Sequence, residues 1–307
     1  MSKAIRNLLL LAAVLIIVGG IIAGIGFAFG GMRSVALTKD GPVIMGSGKY
    51  ETVQVDASYD KITEVVVKAD IGDIKFMEGN SFSLKGSYDS SVQSLDLIEH
   101  NGVLTIAGKA YNNNFAGWLN TGFDFSLRNE LTFTYPKGTE FKSVDLTLNL
   151  GDLEVRDLKA KSLEVNMSAG NFIGATISVD SLNANLNLGN CSISNLMVTK
   201  TASIVMDLGN LHLSDSSVND LTAKNNMGNI EYFGMLTGNA KVTLDLGSLT
   251  LRLDSPENKL SYTINSNLGS VEVNGQNRGL AVSKTVTSPV CTLDISLAMG
   301  SANITTR

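Results

Sequence analysis

The sequence predicts an all-β protein. Its main body reads as a parallel β-solenoid of about 19 residues per coil. An irregular β-rich cap and one transmembrane helix come before it. Three observations lead there. The unit Asn149–Leu150–Gly151–Asp152 returns as Asn187–Leu188–Gly189–Asn190, Asp207–Leu208–Gly209–Asn210, Asn226–Met227–Gly228–Asn229, Asp245–Leu246–Gly247–Ser248 and Asn267–Leu268–Gly269–Ser270. From Gly151 to Gly247 the glycines fall every 19 or 20 residues, and a fixed period in that range marks stacked repeats. The residues five, three and one before each glycine are mostly apolar, as with Leu146, Leu148 and Leu150, so each copy ends a strand with one buried face. After the Gly–Asx pair the apolar residues return one position out of phase, at Leu153, Phe172, Cys191, Leu211, Ile230 and Leu249. A flat strand cannot slip by one residue and keep the same face inside, so the glycine is read as a corner.

Taken in order, residues 1–32 form the predicted anchor. Leu8 to Gly31 contains no charged residue and is long enough, as a helix, to cross a hydrocarbon core of about 30 Å. Lys3 and Arg6 precede it, which favours a cytoplasmic N-terminus and a C-terminal domain outside the cell membrane. A cleaved signal peptide is the rival reading. Gly20 and Gly24 form a small-xxx-small pair that can seat a second helix, although glycines are common in membrane spans in any case. Residues 33–49 read as a juxtamembrane linker.

Residues 50–140 show short strands of irregular spacing and read as a capping region. Asn101–Gly102 is a strong hairpin signal, and Pro136–Lys137–Gly138 is a turn. Ile71–Gly72–Asp73–Ile74 is an early copy of the repeat. Between Ala110 and Asn129 lies a polar loop carrying Tyr111, Phe115, Trp118, Phe123 and Phe125. These aromatics either cover the open end of the core, offer a contact patch, or meet a membrane surface.

Residues 141–307 are the array. Whether each coil has two sides or three is open at this level. Gly247 to Gly269 and Gly269 to Gly300 are longer steps, which imply loops near 255–258 and 274–279. Each coil is expected to stack on the preceding one. Two before the glycine runs a polar column whose candidate contact residues are Asn149, Asn187, Asp207, Asn226, Asp245 and Asn267. It reads as a hydrogen-bonded amide ladder or as an outer contact face. Asp207 and Asp245 flanking a divalent cation is the sharper alternative.

No catalytic site is expected. The sequence lacks Gly-x-Ser-x-Gly, His-Glu-x-x-His and a phosphate loop, and no cofactor is implied. His100 and His212 read as solvated. Cys191 occupies an apolar slot and reads as a small buried hydrophobe; a pairing with Cys291 has no spacing argument behind it. A net charge of −5 with scattered basic residues argues against nucleic acid as a partner.

Gly72–Asp73–Ile74, the Leu131 stretch closing on Pro136–Lys137–Gly138, and the repeated Leu–Gly–Asx–apolar–x–apolar units resemble the bacterial "putative adhesin" family. That family is a β-strand-repeat domain of unknown function in envelope proteins, and the resemblance covers about residues 50–307. It implies an envelope location and carries over no catalytic residue. In some operons such proteins accompany stress-responsive signalling systems. The expectation is therefore a membrane-anchored interaction or scaffold module with a protein or cell-wall glycan partner. An accessory sensor of envelope stress is the second reading, and a polysaccharide-acting enzyme the third.

Overall fold

The computed structural model describes residues 35–38, 41–44, 52–90, 92–111 and 129–307. The chain divides into two compact units, residues 1–51 with 111–127, and residues 52–110 with 128–307. In the first, the strands Val35–Thr38 and Gly41–Ile44 pair antiparallel inside the stretch expected to be a plain linker. The predicted helix over residues 1–32 lies outside the described residues. Among the described residues, no helix is long and apolar enough to cross a membrane.

The second unit is built of strands, with one short 3-10 turn at Glu257–Lys259. Its strands stack in parallel, one repeat above the next, in a solenoid-like arrangement. Leu146 pairs with Val165, then Ala184, Ile204, Ala223, Val242 and Ile295 follow in the same row. All of these are buried. Rows of this kind sit about 4.8 Å apart, so β-branched and leucine side chains of successive coils pack directly on one another.

One coil shows how the sequence bends. After the Gly170 corner, Phe172 to Ala175 run straight. Thr176 then takes a left-handed conformation (φ 56). Ile177 to Val179 form a second run, and a register shift at Val179/Ser181 opens the third, which leads to Gly189. Left-handed residues recur at the same place in neighbouring coils, at Asp157, Asn195 and Asp215. Asp and Asn tolerate this conformation better than most residues, which is why a sequence poor in proline can turn so often. Each central coil therefore has three strand runs, which decides between the two readings left open by periodicity.

Stacking does not follow chain order at the ends, contrary to expectation. Cys291–Thr306 pairs on one side with Asn239–Leu246 and Leu249–Leu253, and on the other with Leu260–Val273. The Gly300 coil thus lies between the Gly247 and Gly269 coils. At the opposite end, Glu64–Ile71 pairs with both Glu140–Leu150 and Val103–Ala110, which puts the Gly72 coil inside the stack. A sequence period reports spacing along the chain, not neighbours in space, and here the linking segments are long enough to cross over.

Both ends change to antiparallel pairing. Gln93–His100 lies on Val103–Ala110, and Phe82–Asp89 lies on Glu130–Pro136. At the other end Ala281–Lys284 lies on Leu260–Val273. Such strands cover parallel edges that would otherwise template further stacking. The first end is filled by Phe76, Phe82, Phe133, Tyr135 and Phe141, with ring centroids of neighbouring pairs 5.2–6.5 Å apart. At the second, Lys284 Nζ donates to Glu257 Oε1 at 3.0 Å, and this bond holds the Glu257 carboxyl below its ordinary range.

Cys191 and Cys291 are both buried and free, so no disulfide joins them. Burial pushes each thiol up to about 12. They serve as small apolar fillers.

Candidate functional site

The glycine corner is where the repeat meets solvent. Gly151, Gly170, Gly189, Gly209, Gly228 and Gly247 all have φ between 137 and 144. Each glycine N–H donates to the carbonyl of the residue just before the next glycine, as in Gly189 N to Leu208 O at 3.0 Å and Gly209 N to Met227 O at 3.0 Å. The glycines thus form a continuous ladder along the stack.

Here the structure corrects one element of the sequence reading. The residue one before the glycine was expected in the core. Instead Leu208 and Leu246 are 42% exposed, Met227 51% and Leu268 64%; Leu188 and Met299 are also exposed, while Leu150 and Ala169 are half-buried. The chain begins to turn two residues ahead of the glycine, so both flanking positions point outward. The period-two pattern is right for the residues five and three before the glycine, and it overruns the strand by one step. The result is an apolar ridge stacked in register, from Leu150 through Ala169, Leu188, Leu208, Met227, Leu246 and Met299 to Leu268.

Polar columns flank this ridge. The ladder expected two before the glycine is only partly bonded. Asn149 Nδ2 donates to Asp70 Oδ1 and Asn226 Nδ2 to Asp207 Oδ1, both at 2.7 Å. Asn187, Asp245 and Asn267 stand exposed in the same column. Asp207 therefore already accepts an amide proton from Asn226, the residue between it and Asp245. Among the described residues no cluster of three or more His, Cys, Asp or Glu side chains is placed to hold a metal.

The regular ladder lies on the other side of the glycine, at the residue just after it. Asn171 Oδ1 accepts from the backbone and side-chain nitrogens of Asn190 at 3.1 and 3.2 Å. Asn190 does the same for Asn210 at 3.0 and 3.2 Å, and Asn210 Oδ1 accepts from Asn229 N at 3.0 Å. These side chains satisfy backbone donors that the corner takes out of the strand ladder. Replacing Asn210 by alanine is expected to cost about 1 kcal/mol, since water can reach the freed Asn229 N–H. The shift of the urea midpoint against wild type measures it. Alignment on the glycine could have found this ladder, because Asp, Asn or Ser follows every copy.

A second exposed group escaped the sequence reading. His212, expected to be merely solvated, places Nδ1 2.9 Å from Glu231 Oε2. Its ring meets Phe233 edge-on at 5.4 Å, and Arg252 lies over Phe233 at 4.7 Å. Parallel register brings together residues 19 apart, so the signal lay in comparing columns rather than neighbours. Of the aromatic loop, Tyr111 is exposed, and Phe115 and Trp118 lie outside the described residues.

Comparison with known proteins adds the family. No curated protein matches the chain. Several solved structures resemble it distantly. A "putative cell adhesion protein" of Clostridium sporogenes shares 10% identity at TM-score 0.35, with 84% of this chain and 100% of that one covered. A "putative adhesin" of Bacteroides fragilis shares 12% at TM-score 0.40, covering 84% and 98%. A "putative lipid binding protein" of Parabacteroides distasonis shares 17% at TM-score 0.39, covering 85% and 98%. The family model described as Toastrack DUF4097 matches residues 62–305, from the buried Ile62 that opens the first coil to the end of the intercalated last strand. The chain therefore belongs to the Toastrack DUF4097 family, a domain of unknown function.

Proposed function

We propose that this protein is a non-enzymatic, adhesin-like interaction module, held at the cell membrane by its N-terminal segment with the stacked coils outside the cell. The observation that carries this reading is the outward face of the longest strand run. There Asn183, Ser203 and Thr222 form one row at the coil spacing, and Asn166 and Asn185 a second that resumes at Thr243, each exposed or half-buried; Glu164, Lys241, Val205 and Lys224 share these rows. Asn185 Nδ2 donates to Asn166 Oδ1 at 3.0 Å, which fixes one amide and leaves others open to solvent. A regular set of amides and hydroxyls on a stiff sheet suits a repeating, hydroxyl-rich partner, and a cell-wall glycan has that chemistry. The backbone that carries these groups is fixed by the stack, so little backbone entropy is lost on contact.

The test uses the full chain in detergent, mixed with isolated cell-wall peptidoglycan and sedimented. Wild type is expected to co-sediment without releasing soluble saccharide. Asn183→Arg together with Thr222→Arg, both at exposed positions, is expected to abolish retention while melting stays unchanged. Retention that survives both substitutions rules out this face. Release of soluble fragments rules out a non-enzymatic role.

A further inference from the structure

The geometry points to the apolar ridge at the glycine corner as a contact between two copies of this chain, packed antiparallel about a two-fold axis that crosses the ridge between Leu208 and Met227. From Leu150 the ridge holds eight stacked positions, in the order Leu150, Ala169, Leu188, Leu208, Met227, Leu246, Met299, Leu268, and the half-buried Ile71 extends it by one beyond Leu150. Continuous exposed apolar surface of this kind marks an interaction site. Its repeat is the strand spacing of about 4.8 Å. An amphipathic helix repeats at about 5.4 Å per turn and would drift out of step by about 4 Å over seven intervals. A second ridge of the same repeat stays in step along its whole length, side chain facing side chain, as in paired sheets with identical spacing.

The residues beside the ridge select the register. In an antiparallel pair centred between Leu208 and Met227, the first position faces the eighth and the fourth faces the fifth. The column two before the glycine then sets Asp207 opposite Asn226 and Asp245 opposite Asn187, so both of these carboxylates meet an amide, while Asp70, beside Ile71, lies beyond the overlap. A slip of one coil in one direction sets Asp207 against its own counterpart. A slip in the other direction sets Asp207 against Asp245. Like charges directly opposed across a sheet contact are destabilising, so both slips are penalised. In the centred register the one small ridge residue, Ala169, faces the long Met299, and Leu188 faces Leu246. An isologous contact requires this kind of self-complementarity.

Cross-linking of the full chain in detergent tests the contact. Leu188→Cys and Leu246→Cys are made as separate variants; both positions are exposed, and the native thiols are buried. The variants are mixed and treated with a bis-maleimide no longer than about two coil spacings, or about 10 Å. The mixture is expected to give a covalent dimer. Each variant alone is expected to give none, because its two copies would sit three coils apart, about 14 Å. Adding Leu208→Glu and Met227→Glu to both chains is expected to remove the cross-link, with melting unchanged because these side chains are exposed. A dimer from each variant alone means parallel packing, and a dimer from either variant alone overturns the proposal. So does a cross-link that survives both glutamates. So does the lack of dimer in every arm; protection of the two cysteines from a water-soluble maleimide in phosphatidylcholine vesicles would then identify lipid as the occupant. None of these outcomes touches the polar face tested by sedimentation.

Discussion

Gly209→Ala is expected to destabilise the protein by about 4 kcal/mol, far more than a single methyl group does at most sites. Two costs combine. Gly209 has φ +141, a conformation that side chains rarely adopt. A Cβ there would also lie 1.8 Å from the Gly189 carbonyl oxygen, which is backbone of the coil beneath and cannot rotate away. Relief requires separating the Gly189 and Gly209 coils, and that breaks the hydrogen bond from Gly189 N to Leu208 O. Gly275→Ala is the control. Gly275 also has a positive φ, +74, but nothing lies within 4 Å of its would-be Cβ, so only the conformational cost of about 1–2 kcal/mol remains. Urea unfolding of the two variants side by side separates steric conflict from backbone strain. Equal losses would mean that coil-to-coil contact at the corner does not set the stability of the stack.

Phe133→Ala is the second large effect, expected to cost 3–5 kcal/mol as buried aromatics do. Phe133 is fully buried, and its ring touches Phe76, Phe82, Tyr135 and Phe141 at centroid distances of 5.3–6.5 Å. It therefore joins the parallel Gly72 coil to the antiparallel strands that close that end. In a stack where each coil contacts only its neighbours, damage at one end is felt there first. Hydrogen exchange is expected to rise over residues 64–89 and 130–141 while the Gly189 and Gly209 coils keep their protection. Uniform loss of protection along the stack would show that the coils unfold as one cooperative unit.

The interior of the central coils was legible in the sequence because burial there follows a strict period of two. Leu146, Val165 and Ile204 could be placed by counting back from a glycine. The corner was legible as a break and misleading in detail. Leucine or methionine before the glycine has the type of a core residue and the position of a surface residue, and only backbone direction tells the two apart. The two ends were legible only locally, as in the Asn101–Gly102 hairpin that joins Gln93–His100 to Val103–Ala110; their stacking order was not. That Cys291–Thr306 slips between earlier strands depends on contacts between distant segments, and the repeat spells the same motif whichever coil it sits beside. His212 and Glu231 were missed for a related reason: they are 19 residues apart and neighbours only through register.

The intercalated strand has a consequence for the order of assembly. Leu260–Val273 leaves the ribosome before Cys291–Thr306, the strand that must lie between it and the rest of the stack. Growth by successive addition therefore stops at the Gly247 coil. The Gly269 segment has to wait, held by the antiparallel Gln276–Asn277 and Ala281–Lys284, until the later strand arrives to bridge the gap. Closure of that end becomes a late event that reads out how far synthesis has gone. A chain halted before residue 291 would carry an open parallel edge, the surface most prone to pair with another chain.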